Sequence, residues 1–184
     1  MRSIRLFLKC IIPCKFCIPK FISDNEFIVR CVYSTMNIDK KGNLKKNFYS
    51  PTSTLENGEV KEAGVSTVRR DYALLNFIKR HCKCHEGKNR EYYGLAYVTA
   101  GNIRSCRNET YKASVVSSPA FYPNYKLYQH ADILYGYIHK KDEPLPNEIN
   151  FIIEELLSKT KNEKDEFPKL KEWKGSPIKS IMAS

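Results

Sequence analysis

The stretch YYGLAYVT at residues 92–99 decides the fold, because it is the clearest strand in the chain. Its tyrosines and its β-branched Val98 favour extended backbone packed against one side of a sheet. Other segments rich in β-branched and aromatic residues predict further strands at 26–33, 64–68, 111–117 and 130–138. Strands therefore outnumber helices in this sequence.

Two segments have helical periodicity. The stronger one lies at 149–157, where isoleucines and leucines recur at i, i+3, i+4, i+7 and i+8. The weaker one carries Leu74, Leu75, Ile78 and Cys82 on one face, and Asp71 is its predicted N-cap. Because the helices do not alternate regularly with the strands, the pattern predicts an α+β domain with a mixed, mostly antiparallel sheet and two packed helices.

The 184 residues suffice for one domain of ordinary size, which we place at 24–160. Residues 1–23 are both apolar and basic and predict an N-terminal extension, because Pro13 and Pro19 argue against a continuous helix. Beyond residue 160 the chain is rich in Lys and Glu. This composition predicts a charged C-terminal tail, 161–184, that docks at Trp173.

The N-terminal segment also bears on location. Lys9 and Lys15 interrupt the apolar run that a secretory signal needs, and no small-residue cleavage site follows. The chain contains no uncharged apolar run of about 18 residues, the length expected of a membrane span. We therefore expect a cytoplasmic protein, and leave open a membrane contact through residues 1–23.

Seven cysteines are an odd number, and their spacing is not that of a secreted disulfide scaffold, so reduced thiols are expected. Cys10, Cys14 and Cys17 have the spacing of an iron–sulfur motif, but no βα repeats follow them. The segment His81-Cys82-Lys83-Cys84-His85 offers four zinc donors, His81, Cys82, Cys84 and His85. Adjacent donors on one short stretch cannot all reach one metal, so we predict a helix end with incidental thiols, no metal and no cofactor.

The charge is strongly asymmetric. The 31 Lys and Arg residues against 20 Asp and Glu give a net charge of +11, all of it in the first 118 residues. A basic face attracts polyanions, and basic groups beside aromatic rings are typical of single-strand binding. The candidate nucleic-acid contacts are basic residues around the first helix and tyrosines of a later loop: Arg69, Arg70, Lys79, Arg80, Lys83, Lys88, Arg90, Tyr122, Tyr125 and Tyr128.

Four short blocks resemble, in their order, a family of small uncharacterised bacterial proteins. They are FIVR at 27–30, GNLKKNFYSP at 42–51, VSTVRRDY at 65–72 and HADI at 130–133. The similarity covers residues 26–138 and implies an accessory protein of mobile or defence cassettes, with no activity to carry over.

An alternative interpretation is an NAD-using enzyme or toxin similar to the ADP-ribosyltransferases. In that fold a first-strand Arg holds the NAD phosphates, a later Ser/Thr pair braces the nicotinamide, and a late acid stabilises the oxocarbenium ion. The counterparts here are Arg30, Ser66 with Thr67, and a late acid, for which Asp132 and Glu109 are available. Neither acid lies in the family's paired-acid arrangement. His130 lies two residues before Asp132, so both face one side of a strand and the imidazole can serve as a base.

We favour the first interpretation. It makes the chain a non-enzymatic basic binding or accessory protein that engages nucleic acid or a nucleoprotein complex. Self-association into a homo-oligomer is left open.

Overall fold

A six-stranded open sheet forms the centre of the computed structural model, which describes residues 18–51, 55–56, 59–60, 64–88, 90–122, 125–138 and 143–174. The strands are β1 Phe27–Tyr33, β2 Leu55–Glu56, β3 Glu59–Val60, β4 Val65–Arg69, β5 Tyr92–Thr99, β6 Ser114–Ser117, β7 Ala120–Tyr122, β8 Tyr125–Leu127, β9 His130–Leu134 and β10 Lys161–Lys164. The helices are α1 Leu75–Lys83, α2 Ala100–Ser105 and α3 Asn147–Lys159.

The strand order of the central sheet is β10-β5-β1-β4-β9-β6, and each neighbouring pair is antiparallel. Two further pairs, β2 with β3 and β7 with β8, form separate two-stranded sheets. The α+β class predicted from the sequence is confirmed. The described part of the sheet is wholly antiparallel, however, where the sequence suggested some parallel pairing.

Side chains alternate between the two faces along every strand, so each face carries apolar side chains and is covered by a helix. On the face that we call the α3 face, Ile28 and Val98 pack with Ile152 of α3 in one core cluster. On the opposite α1 face, Val29 and Val68 pack with Ile78 of α1 in a second cluster. Each of these side chains is at most 3% exposed, so each burial contributes about 1.5–3 kcal/mol.

Helix α1 begins too far along the chain for Asp71 to be its N-cap. Asp71 lies in a 3-10 turn, Arg70–Tyr72, and the N-cap position is Leu74, which makes no side-chain capping bond. The prediction that Asp71 caps the helix is wrong, because the turn inserts residues between its carboxylate and the first free N–H groups of α1.

The chain continues as a sheet strand where the sequence predicts a charged tail from residue 161. β10 pairs with the edge of β5 and brings Lys164 opposite Gly94. A Cβ atom at position 94 would lie 2.0 Å from the Glu163 carbonyl oxygen, so only glycine permits this approach. Asp165 then forms an ion pair with Lys79 of α1, Nζ to Oδ2 2.6 Å, and both side chains are fully buried.

The end of the predicted N-terminal extension also belongs to the folded core. Ile18 and Ile22 are buried. The guanidinium of Arg69 bonds to the carboxylate of Glu26, with Nη2 2.8 Å from Oε2, and donates to the carbonyls of Pro19 and Phe21. Residues 18–26 are therefore fastened to β4. The iron–sulfur spacing at Cys10, Cys14 and Cys17 lies outside the described residues.

A disulfide joins the sheet to a helix. Cys31 of β1 and Cys82 of α1 are 51 residues apart in sequence, and their Cα atoms are 5.5 Å apart. The expectation of reduced thiols is wrong for this pair, because α1 packs across β1 and brings the two side chains together. Among the described residues Cys84 is a free exposed cysteine and Cys106 a free buried one.

No helix in the described part of the chain has the length and apolar character to cross a membrane.

Candidate functional site

A cavity opens in the sheet where β1 and β4 part. The two strands pair only at Ile28 with Arg69 and at Val29 with Val68. Beyond these positions a cavity of about 190 Å³ lies between them. It is lined by Val29, Arg30, Cys31, Tyr33, Met36, Asn37, Ser66, Thr67, Val68, His81, His85 and Arg90. The lining includes residues whose side chains leave the sheet on opposite faces, such as Arg30 and Cys31.

The lining is cationic. It contains Arg30, Arg90, His81 and His85, and no described residue of the lining is acidic. Burial lowers the pKa of the Arg30 guanidinium below its ordinary value. Its Nη1 atom is buried and has no hydrogen-bond partner among the described residues, while its Cζ atom lies 5.0 Å from the centroid of the Phe48 ring. A buried cation without a counter-ion favours an anionic ligand.

Ser66 and His130 form a hydrogen-bonded pair beside this cavity. The hydroxyl oxygen of Ser66 lies 2.6 Å from Nε2 of His130, and Nδ1 of His130 lies 2.5 Å from the carbonyl oxygen of Ser118. A carbonyl can only accept, so Nδ1 carries the proton and donates it to Ser118. Nε2 is then the acceptor of the Ser66 hydroxyl. This arrangement is that of a hydroxyl nucleophile and its general base.

Asp132 lies next to the pair. Its Oδ1 atom is 3.9 Å from Nε2 of His130, beyond hydrogen-bond distance but close enough to stabilise a protonated imidazole. Gly64 packs against it, since a Cβ atom at position 64 would lie 3.0 Å from the Asp132 Cβ.

His81 brings a neutral imidazole to the cavity. Burial, and then the neighbouring His85 and His130, lower the pKa of His81 to about 4. The His81 and His85 rings meet edge to face, with centroids 4.8 Å apart. At neutral pH His81 therefore adds no positive charge to the cavity.

We expect acid to destabilise the protein through His81. The pKa of this residue is about 4 in the folded state and 6.5 in the unfolded chain, so the unfolded state takes up the proton first as the pH falls. The contribution of neutral His81 to the free energy of unfolding is complete above pH 6.5. It is lost as the pH drops from 6.5 toward 4, by about 3 kcal/mol in all. Urea unfolding at neutral and acid pH measures this loss. The variant His81→Gln should show a loss smaller by that amount, and His85→Gln, one turn away, should keep most of it. An identical acid sensitivity in His81→Gln and wild type would contradict the assignment.

The residues of the NAD interpretation do not share one face of the sheet. Arg30 pairs in register with Ala96, which lies in the core of the α3 face. Ser66 pairs with Asp132 and shares the α1 face with Val68. Ser66, His130 and Asp132 therefore come together on one face. The side chain of Arg30 leaves the sheet on the opposite face, so the three side chains of Arg30, Ser66 and Asp132 do not meet on one face, although Arg30 and Ser66 both line the cavity.

Several basic residues of the predicted nucleic-acid surface have structural contacts instead. Arg69 and Lys79 are fully buried in ion pairs, with Glu26 and with Asp165. Lys83 donates to the Pro168 carbonyl, and Arg70 to the carbonyl of Ala73. The exposed members of the set are Arg80, Lys88 and Arg90. Tyr128 is partly buried, and the side chains of Tyr122 and Tyr125 lie outside the described part of the chain.

The four zinc candidates do not form one set of metal ligands. Cys82 is oxidised in the bridge with Cys31, so it has no thiolate to offer. Cys84 is exposed, while His81 is turned into the cavity. Among the described residues no group of three or more His, Cys, Asp and Glu side chains is placed to hold a metal ion.

Ser66 and His130 were both predicted as candidate residues from the sequence, but not as a pair. Their separation of 64 residues carries no signal. The antiparallel register of β4 and β9 brings them together, because Ser66 lies opposite Asp132 and Val68 opposite His130, which makes Ser66 and His130 diagonal neighbours on one face.

Comparison of the chain with protein-family models, with curated proteins and with solved structures found no match.

Proposed function

We propose that this protein binds single-stranded nucleic acid, and that a phosphate of this ligand enters the cavity between β1 and β4. The observation that carries the proposal is a cavity lined by two arginines, Arg30 and Arg90, with no acidic residue in its described lining. The Nη1 atom of Arg30 is buried and has no hydrogen-bond partner among the described residues. Phosphate oxygens match the planar donors of a guanidinium in charge and geometry.

The energetics favour an anion at this position. Desolvating an unpaired cation costs free energy, and a bound phosphate recovers part of it through charge-assisted hydrogen bonds worth about 1.5–3 kcal/mol each. A second cavity, lined by Lys83, Glu86, Arg90 and Glu91 among others, mixes both signs of charge and lacks this preference.

Exposed cations near the end of α1 offer further contacts for phosphates. Arg80 and Lys88 are exposed, and so is Arg90, which lies at the cavity with its Cζ atom 5.2 Å from the Tyr33 ring. A chain of phosphates can pass over such a surface while one phosphate enters the cavity. Binding of this kind weakens as salt rises, because counterions are released from the nucleic acid.

Substituting Arg30 tests the proposal. We expect Arg30→Met to weaken binding of a fluorescein-labelled single-stranded oligonucleotide about tenfold in anisotropy titrations at low salt, since one charge-assisted contact is lost. The same variant should melt at a higher temperature without ligand, because it removes a buried unpaired cation. Arg107→Met is the matched control, since Arg107 is exposed and does not line the cavity. Unchanged affinity in Arg30→Met, or no binding by the wild type at micromolar protein, would overturn the proposal.

A role as an accessory subunit of a nucleoprotein complex, in a bacterial defence or mobile-element cassette, is included in this proposal and rests on the four sequence blocks alone. We likewise propose a cytoplasmic location. The bridge between Cys31 and Cys82 counts against it, because the cytosol keeps most thiols reduced.

A further inference from the structure

We infer that Ser66 and His130 form a catalytic dyad that hydrolyses carboxylic esters bearing an anionic group. The nucleophile and base stand on their own geometry, whereas the anionic part of the substrate rests on the proposed function of the cavity.

The hydrogen bonds fix the roles of the two side chains. The bond from Nδ1 to the Ser118 carbonyl holds the imidazole in the tautomer whose Nε2 lone pair points at the Ser66 hydroxyl. His130 is 7% exposed and so has little water competing for that lone pair, while Ser66 is exposed and lines the cavity. A buried base beside an accessible hydroxyl is the arrangement that general-base activation requires.

Neighbouring contacts hold the dyad in place. The Thr67 hydroxyl donates to the Ala131 carbonyl over 2.7 Å, which ties β4 to β9 between the two residues of the dyad. Asp132, with Oδ1 3.9 Å from Nε2, offers a negative charge to the imidazolium that forms during the reaction.

The cavity selects the substrate by charge and size. Its volume of about 190 Å³ equals roughly six water molecules at ~30 Å³ each, which accommodates a small acyl group with one anionic substituent. Arg90, which lines the cavity with Ser66 and lies with its Cζ atom 5.2 Å from the Tyr33 ring, supplies the positive charge, and no described lining residue is acidic.

The reaction proceeds in two balanced steps. The Ser66 Oγ–H bond breaks, its proton passes to Nε2 of His130, and Oγ attacks the ester carbon. The C–O bond to the alcohol then breaks, and the leaving oxygen takes the proton from Nε2. Water attacks the acyl group on Ser66 in the same way, releasing the carboxylic acid and restoring the Ser66 hydroxyl. The sum is ester plus water giving acid plus alcohol.

A fluorophosphonate probe tests the nucleophile directly. Its phosphorus forms a bond to Oγ of Ser66 and loses fluoride, while the serine proton leaves through Nε2. We expect intact-mass and peptide analysis to find one label on Ser66 in the wild-type protein and none in Ser66→Ala. His130→Gln should react about a hundredfold more slowly, as loss of a general base implies. Ser158→Ala, on the exposed side of α3, is the matched control and should label like the wild type.

Folding is checked by the melting temperature of each variant, so that an unfolded protein is not counted as an unreactive one. The dyad is overturned if folded wild type takes no label, if the label lies elsewhere, or if His130→Gln reacts at the wild-type rate.

A second measurement separates the dyad from the anion site. We expect kcat/KM for the 4-nitrophenyl ester of succinate, which carries a free carboxylate, to exceed that for 4-nitrophenyl acetate about tenfold, as one charge-assisted contact allows. Arg90→Met should lower the first value. Equal values for the two esters, with Ser66 still labelled, would overturn the substrate class and count against the proposed function while leaving the dyad in place.

Discussion

Asp165→Ala is expected to lose about 3–5 kcal/mol of the free energy of unfolding, the cost of leaving one member of a buried ion pair alone. Asp165 and Lys79 are both fully buried, with Nζ 2.6 Å from Oδ2. Lys79 also donates to the carbonyls of Phe167 and Glu172, so the pair holds the segment after β10 against α1.

Denaturant unfolding measures the loss, and Trp173 reports where it occurs. Trp173 is the only tryptophan in the chain and packs at the edge of the α1-face core. Its fluorescence should shift to the red in Asp165→Ala before global unfolding, because the segment that carries it is released.

Two controls isolate the ion pair. Glu166→Ala removes an exposed neighbouring carboxylate and should change stability by no more than about 0.5 kcal/mol. The double variant Lys79→Met with Asp165→Leu should recover most of the loss, because it leaves no buried charge unpaired. A loss of less than about 1 kcal/mol in Asp165→Ala would mean that the pair is not buried in solution.

Reduction of the bridge between Cys31 and Cys82 is expected to lower the free energy of unfolding by about 4 kcal/mol, the chain-entropy value for a loop of this size. The bridge closes 51 residues and joins β1 to α1 beside the cavity. Parallel unfolding curves with and without dithiothreitol measure the difference.

The double variant Cys31→Ala with Cys82→Ala should match the reduced wild-type protein and should not respond to reductant. Cys84→Ser is the control, since Cys84 is free and exposed, and it should keep the full response. Wild-type protein that shows both thiols free to alkylation before reduction would contradict the bridge.

The sequence by itself determined the elements whose signal is local. Strand β5 was predicted at its observed bounds, and α3 covers the predicted helix at 149–157. Alternation and helical periodicity are set by the backbone geometry of each element, so a short window contains the whole signal. The α+β class followed from the order of these elements.

The burial and the partners of the charged residues could not be predicted from a short window of sequence. Arg69 and Lys79 look like surface cations in sequence, yet both are buried in ion pairs with distant partners. Glu26 lies 43 residues from Arg69. Whether a cation meets water or a carboxylate depends on which segments pack over it, and that packing is a property of the whole fold.

The sequence predicted which residue types the candidate site contains, but only the tertiary structure determined which of them come together. The sequence supplied a hydroxyl at Ser66, an imidazole at His130 and a guanidinium at Arg30. The register of β4 with β9 joined the first two across 64 residues. The early end of pairing between β1 and β4 opened the cavity, and strand alternation turned Arg30 to the other face. Side-chain chemistry belongs to each residue, but proximity and solvent exposure arise from strand pairing over long sequence separations, which no local pattern records.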